Sequence, residues 1–504
     1  MTFIRKLSNF LTELIFILVA VLSFPSFLLL PLFILPFYIY RTIIKCLSKT
    51  LNLKAAKIMT LRNSVVANDN LYTRPEQTVV ISIGFKGRLD YQITLDMATA
   101  HFDKRNDKNE LLFPEFKQYY SSWGGYLFWK NDDSFEMSNH IRKYEGKSST
   151  VSYEELKEFC LELPRKPYTR KRSPWEVLVV NDFQHDEFPG EELSVLILRV
   201  HHGLGDGFSI LESFTSAVGM WENIKEKLPL PIYSSGAVNP SFWYYLWMFL
   251  SSPYHSLKQG PGSYDINAFR IKGKNLQKKL RTGHLKYELD FIKGNCKKWG
   301  VTFSGFVFAA VCGGFRNFML ENDMKVPEYF HVGMPFPWPG RNSSKVQNRM
   351  CVCIMKFPVG TALLEERVQL TDEIWKKLKK SPAPLMNWTF MPIFGLLPGF
   401  LVKMFIRNNF TTAVLSNFPG PEDKIELRSA GEPCLTEDIE FVTGLWRGNC
   451  GVGIGILSAH GILKVNIGVD EAILEQTQVD ALKSHIEKEF KILTNHSGVF
   501  NCEV

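Results

Sequence analysis

None of the nine cysteines (46, 160, 296, 312, 351, 353, 434, 450 and 502) sits in a Cys-x-x-Cys pair. The usual zinc spacing and a thioredoxin-like redox pair are therefore both missing. An odd, scattered set argues against a disulfide framework and fits a reduced, cytosol-facing chain. Cys351 and Cys353 fall in a strand-like run, where two small buried apolar residues are expected. No Gly-x-Ser-x-Gly elbow occurs, which removes a serine hydrolase of that type. Charge is absent over one long stretch, residues 14–40. No short-period repeat breaks up the 504 residues, a length that allows two or three domains at about 150 residues each.

The chain is 45% apolar and holds 39 Phe and 11 Trp, enough for a large core, so disordered, collagen-like and small disulfide-stapled classes are excluded. Its net charge of +8 is unevenly placed. Residues 1–57 carry Arg5, Lys6, Arg41, Lys45, Lys49, Lys54 and Lys57 against Glu13 alone, so little of the excess is left for the rest. A nucleic-acid binder concentrates its charge on a folded module. Here the excess flanks an apolar segment, which excludes nucleic acid and indicates a lipid bilayer as partner. Residues 14–40 exceed the roughly 20 needed to cross a bilayer as a helix. They are too long for a cleaved signal core, and no small-x-small site follows them. Pro25, Pro31 and Pro36 each remove a backbone donor, leaving a kinked span or a re-entrant hairpin. The basic residues that follow predict a cytosolic body.

The organisation expected is an anchor at 1–57, a first half at 58–225, a crossover at 226–290 and a second half at 291–504. In the first half, strands are expected near 79–83, 175–181 and 193–200, the last two joined through Pro189-Gly190. Helices are expected at 95–100 and at 152–163, the second opened by Ser152-x-x-Glu155 and stopped by Pro164. Residues 101–150 read as polar and mixed. The crossover holds prolines at 229, 231, 240, 253 and 261 and a basic stretch at 272–281. The second half has a helix at 303–320, strands at 331–334, 350–357, 412–416, 441–443, 451–457 and 462–469, and a closing helix at 474–490. Strand-rich halves with interspersed helices make an α/β, sandwich-type (α+β) fold.

The strand at 195–201 ends in His201-His202-Gly203-Leu204-Gly205-Asp206-Gly207 and is followed by a helical pattern at 208–221. Side chains alternate along a strand, so His201 and His202 serve different faces. Three glycines within five residues allow a tight turn with positive φ. A neutral inward His suits general-base work near its ordinary pKa of about 6.5. The spacing by itself also fits a structural pair. Metal is disfavoured because the two rings diverge and no third ligand stands at a familiar spacing. Gly203-x-Gly205-x-Gly207 is not the dinucleotide fingerprint.

His201-His202-x-x-x-Asp206-Gly207 resembles the HHxxxDG signature of acyl-CoA-dependent acyltransferases related to chloramphenicol acetyltransferase and condensation domains. Within that superfamily the chain resembles the wax ester synthase/diacylglycerol acyltransferase family. Arg172-Ser173-Pro174-Trp175-Glu176 is similar to the family's Pro-Leu-Trp-Glu segment, without the Leu. Leu415-Ser416-Asn417-Phe418-Pro419-Gly420-Pro421 matches its SNxPGP segment, and 455–470 resembles its closing hairpin. Thr302-Phe303-Ser304-Gly305 stands where the family has an Asn-Asp pair. The likeness covers roughly residues 60–500.

The resemblance implies two chloramphenicol acetyltransferase-like halves behind an N-terminal membrane helix or hairpin, with acyl-CoA as co-substrate and no cofactor or metal. His202 would take the hydroxyl proton of a fatty alcohol or diacylglycerol and return it to the departing CoA sulfur. Direct attack needs no nucleophilic residue. His201 and Asp206 would complete the motif, Asp206 by holding the loop. Asn417, Ser304, Gly207 or a backbone amide would serve the oxyanion or bind substrate. Asn417 beside Pro-Gly could equally organise a turn. Of the basic run Arg165, Lys166, Arg170, Lys171 and Arg172, either CoA phosphates or solvent are the expected partners. Residues 242–250 and 381–402 would be core or bilayer surface. The endoplasmic reticulum membrane is the expected location, with the plasma membrane as alternative. A catalytically silent lipid-binding or transport protein of the same fold is the other reading.

Overall fold

The apolar run at 193–201 lacks the alternation of a half-buried strand because it is buried on both faces, all nine residues being out of solvent. It is the central strand around which the first half is built. The computed structural model describes residues 2–51, 55–146, 150–224, 241–260, 266–270, 276, 279–338, 346–405, 411–443 and 450–495. The crossover prolines 229, 231, 240 and 261, the early part of the basic stretch 272–281, Lys54 and Cys502 lie outside the described residues.

In chain order the first strands are β1 (Ala55–Ile58), β2 (Thr78–Lys86), β3 (Gln118–Trp123), β4 (Tyr126–Asn131), β5 (Ile141–Lys143), β6 (Val151–Ser152), β7 (Trp175–Gln184) and β8 (Leu193–His201). They continue as β9 (Leu280–Glu288), β10 (Phe330–Pro337), β11 (Met350–Phe357), β12 (Ala413–Pro419), β13 (Glu426–Ser429), β14 (Glu432–Thr443), β15 (Val452–Ala459) and β16 (Ile462–Asp470). A six-stranded sheet runs β11-β10-β12-β15-β16-β9, and a seven-stranded sheet runs β13-β14-β2-β8-β7-β5 with β6 on β7. The fold is thus a mixed α/β arrangement of two halves, as expected. The strand β9, inside the stretch 226–290, is an edge of the second sheet against β16.

The hairpin β13–β14 comes from the second half in sequence but completes the first sheet, with β14 antiparallel to β2 from Leu435↔Lys86 to Thr443↔Val79. The chain then returns to β15, which lies parallel to β12. The halves therefore share a sheet, and separating them would strip β2 of a whole ladder of backbone hydrogen bonds. A buried ion pair adds to this. Arg165 Nη2 donates to Asp470 Oδ2 at 2.9 Å, with the side chains 8% and 0% exposed. Arg165 is thereby committed to the fold, which corrects its expected place among phosphate-binding or solvated cations.

Helix boundaries follow local chemistry. Ser152 accepts from the Glu155 N–H at the start of Tyr153–Glu162, Thr302 accepts from the Gly305 N–H at the start of Phe303–Glu321, and Gly300 closes Leu289–Trp299 with φ +65°. The helix Phe303–Glu321 is long and apolar enough to cross a membrane, but most of it is the buried centre of the second core. The span 101–150, read as polar and mixed, contains the hairpin β3–β4.

The uncharged run 14–40 lies in two helices, Thr2–Leu28 and Leu30–Thr50, both long and apolar enough to cross a membrane. Leu29 between them keeps a right-handed helical backbone, so the chain does not fold back there as a hairpin. Arg41 Nη2 donates to the Met59 carbonyl at 2.6 Å, and Ile44 fills the space above Gly124, where an added Cβ would meet Ile44 Cδ1 at 2.7 Å. Gly124 also has φ +56° at the β3–β4 turn, so glycine is required there twice over.

Removing one partner of a buried ion pair leaves an uncompensated charge, at a cost of about 3–5 kcal/mol. Asp470→Ala should lower unfolding stability by that amount, and the double replacement Arg165→Met with Asp470→Leu should recover most of it. Denaturant unfolding of the detergent-solubilised chain checks both. A single variant within about 0.5 kcal/mol of the parent, the ordinary range for surface changes, would contradict the role given to the pair.

Candidate functional site

The end of β8 carries both histidines, and the strand's alternation separates them. His201 is fully buried. Its Nδ1 accepts the Gly203 N–H at 3.0 Å and lies 2.8 Å from the Tyr120 hydroxyl. The ring proton is therefore on Nε2, which donates to Asp69 Oδ2 at 2.9 Å. Asp69 Oδ2 also accepts the N–H groups of Glu76 and Gln77. Burial pushes the Asp69 carboxyl up, but His201 and these backbone donors outweigh it and hold the pKa below the usual carboxylate value. Burial raises the Tyr120 pKa well above 10.0, so it remains a neutral hydroxyl.

His202 points the other way, into a cavity of about 350 Å³ between the halves. Its N–H is held by the Gln77 carbonyl at 2.7 Å. Its ring Nδ1 lies 3.1 Å from the Gly205 carbonyl. A carbonyl only accepts, so Nδ1 carries the proton and Nε2 keeps its lone pair. Burial, then the neighbouring His201, lowers the His202 pKa below 6.5, against the opposing pull of Asp206, the Gly205 carbonyl and Asn348. The ring is thus neutral at physiological pH.

Asp206 is the N-cap of the helix Gly207–Ala217. Its Oδ1 accepts from the Ser209 N–H at 2.9 Å and its Oδ2 from the Arg349 N–H at 2.7 Å. The motif carboxylate thus binds helix start to second half. The segment before β11 grips the loop further: Asn348 Nδ2 donates to the His202 carbonyl at 2.7 Å, and Ser209 Oγ to the Gln347 carbonyl at 2.9 Å. Asn63 Oδ1 in turn accepts from the Asn348 N–H at 3.0 Å.

The glycines do not have the expected positive φ, since none of Gly203, Gly205 and Gly207 is in the left-handed region. The constraint is space. A Cβ at Gly203 would meet the Tyr120 hydroxyl at 2.5 Å, and one at Gly205 would meet Val346 Cγ1 at 2.8 Å. Gly207 faces the cavity with Phe418 3.5 Å from its would-be Cβ.

Asn417 on β12 also lines the cavity. Its amide donates to Ser304 Oγ at 3.3 Å across to the start of the helix Phe303–Glu321. Ser304 supports Asn417 from behind and is not itself in the cavity wall. The structure therefore brings His202, Asp206, Gly207 and Asn417 to one cavity, with His201 behind the first and Ser304 behind the last. The remaining wall is mostly aliphatic and aromatic, including Val352, Ile354, Phe394 and Phe441. Asp69, Tyr120, Asn63 and Asn348 escaped the sequence reading, because no local pattern marks a lone Asp or Asn whose partner is distant in the chain.

Residues 346–494 match the model of the WS/DGAT C-terminal domain. No curated protein matches the chain by sequence. Among solved structures, the wax ester synthase/diacylglycerol acyltransferase from Marinobacter aquaeolei VT8 superposes with a TM-score of 0.56 at 16% identity, over 87% of this chain and 100% of that one. The trichothecene 15-O-acetyltransferase from Fusarium sporotrichioides gives 0.58 at 14% identity, over 87% and 94%. The starter condensation domain of rhizomide synthetase gives 0.59 at 7% identity, over 89% and 96%. These likenesses share the fold. Residues 346–494 thus resemble the WS/DGAT C-terminal domain, and the chain shares its fold with these solved structures.

Proposed function

We propose that the protein is a membrane-bound O-acyltransferase that moves a fatty acyl group from acyl-CoA to a long-chain alcohol, to diacylglycerol, or to both. The observation that carries this reading is that His202, with its Nδ1 proton turned to the Gly205 carbonyl, lines the same mostly apolar cavity as Asn417. Nε2 takes the hydroxyl proton as the acceptor oxygen attacks the thioester carbonyl. The tetrahedral oxyanion collapses, the C–S bond breaks, and the proton on Nε2 goes to the departing CoA sulfur. The Asn417 amide, oriented by Ser304, is a candidate donor to the oxyanion. Asp206 and His201 position the loop and do not move protons.

The alternative of a silent lipid carrier has no need of an imidazole held in one tautomer at the wall of the cavity, which favours the enzyme. Eight free cysteines among the described residues, seven of them buried, support a reducing compartment, and the basic residues after the anchor support a cytosolic body on the endoplasmic reticulum.

General-base removal costs typically 10²–10⁴-fold. His202→Ala should therefore lower ester formation from labelled acyl-CoA by about that factor while the chain stays folded, read by its unfolding midpoint. Full activity in the variant would sink the assignment. The pH profile supplies a second check. The active form is the neutral ring, and its lowered pKa keeps it neutral to more acidic pH, so the acid limb of kcat/KM should be centred below 6.5. A limb centred above 6.5 that disappears in a His202 variant would contradict the environment described for this ring.

A further inference from the structure

Only two charged residues fall between residues 7 and 44, Glu13 and Arg41. Both turn toward the body. Glu13 accepts from Lys258 Nζ and from the Tyr254 hydroxyl, each at 2.6 Å, and Arg41 is held by the Met59 carbonyl. Between them the long helix stays against the body. Phe24 and Phe27 pack on Phe249, and Phe27 also on Phe390. The Tyr126 hydroxyl is shared by the carbonyls of Phe37 and Leu396. The opposite side is solvent-exposed and apolar, with Leu18, Val21, Leu22, Leu32 and Phe33 outermost. Beside it the helix Phe242–Gln259 exposes Phe242, Trp243 and Trp247, 72%, 73% and 57% open.

The contact from Glu13 to Ile44 extends about 46 Å at 1.5 Å per residue, against a hydrocarbon core about 30 Å thick. Were this stretch to cross the bilayer upright, the parts of the body that touch it along its whole length, from Lys258 beside Glu13 to the hairpin β3–β4 beside Ile44, would stand at membrane depth, and that hairpin would carry Lys130 and Asn131 into the hydrocarbon at high cost. We propose that residues 2–50 lie in the plane of one leaflet, with the exposed face of Phe242–Gln259 beside them, so that the protein is monotopic and both termini stay on one side. The occupant of this apolar face is the bilayer itself. It continues into the reaction cavity, because Phe394 is both exposed and part of the cavity wall, four residues beyond the Phe390 that packs on Phe27. The lipid acceptor enters sideways from the leaflet past Phe394, a step that rests on the acyltransferase reading.

The test uses the full chain in sealed microsomes, tagged at both ends. Externally added protease should remove both tags. An N-terminal tag protected while the C-terminal one is cut means a spanning helix and overturns the proposal. Nitroxide labels on cysteines replacing Leu18, Phe33 and Leu47 should report similar shallow depths, about 5–10 Å below the headgroups. A Phe33 label far deeper than the other two means a hairpin and likewise overturns it. A photoreactive long-chain alcohol dissolved in the same bilayer should label the peptide carrying Phe394, about tenfold less in the double variant Trp243→Glu, Trp247→Glu. Equal labelling in parent and variant, or none at that peptide, contradicts sideways access. None of these readouts depends on turnover, so a chain that forms no ester would count against the enzyme reading alone.

Discussion

A neutral histidine has two ring nitrogens and one proton, and the Gly205 carbonyl decides where the proton of His202 sits. With Nδ1–H committed to that carbonyl, Nε2 keeps its lone pair, and His202 lines the cavity. Everything else in the site keeps this one hydrogen bond in place. The loop that presents Gly205 is held through Asp206 and Asn348 by residues just before β11. The strand before it is held through Gln77 and Asp69. The His202 ring is thus oriented only when both halves are assembled, and the shared β14 and the Arg165–Asp470 pair make that assembly durable.

The two histidines divide the work by burial. His201 spends every polar atom of its ring on Tyr120, Gly203 and Asp69, an arrangement that leaves no lone pair for chemistry. His202 spends one and keeps one. The same economy explains the carboxylate of Asp206: both oxygens accept backbone N–H groups from different halves, so it acts as a tie between them. Small residues are needed at 203 and 205 because Tyr120 and Val346 fill the space a side chain would take.

Local features were legible in the sequence. The strand β8, the capping Ser152, the buried Cys351 and Cys353, and the uncharged run at the N-terminus are each set by neighbouring residues. The family likeness rested on two short motifs, which a separate family model and the fold then supported. Contacts across large separations were not legible: Asp69 meets His201 over 132 residues, Tyr120 over 81, and Asn348 meets the His202 carbonyl over 146. Nor did residues 426–443 announce that they would leave their own half and complete the other sheet. The anchor was read correctly as apolar, but its contacts with the body depend on Tyr126, Phe249 and Lys258, which no hydropathy pattern connects to it.

The central claim is that ester forms by direct attack on acyl-CoA, with His202 as base and no covalent acyl-enzyme. It is tested most directly by incubating membranes that carry the full chain with acyl-labelled acyl-CoA, with and without a long-chain alcohol or diacylglycerol, and resolving both lipids and protein. The account predicts labelled wax ester or triacylglycerol only when acceptor is present, and no label bound covalently to the protein. Label retained on the protein in the absence of acceptor, or no ester with any acceptor, would contradict it.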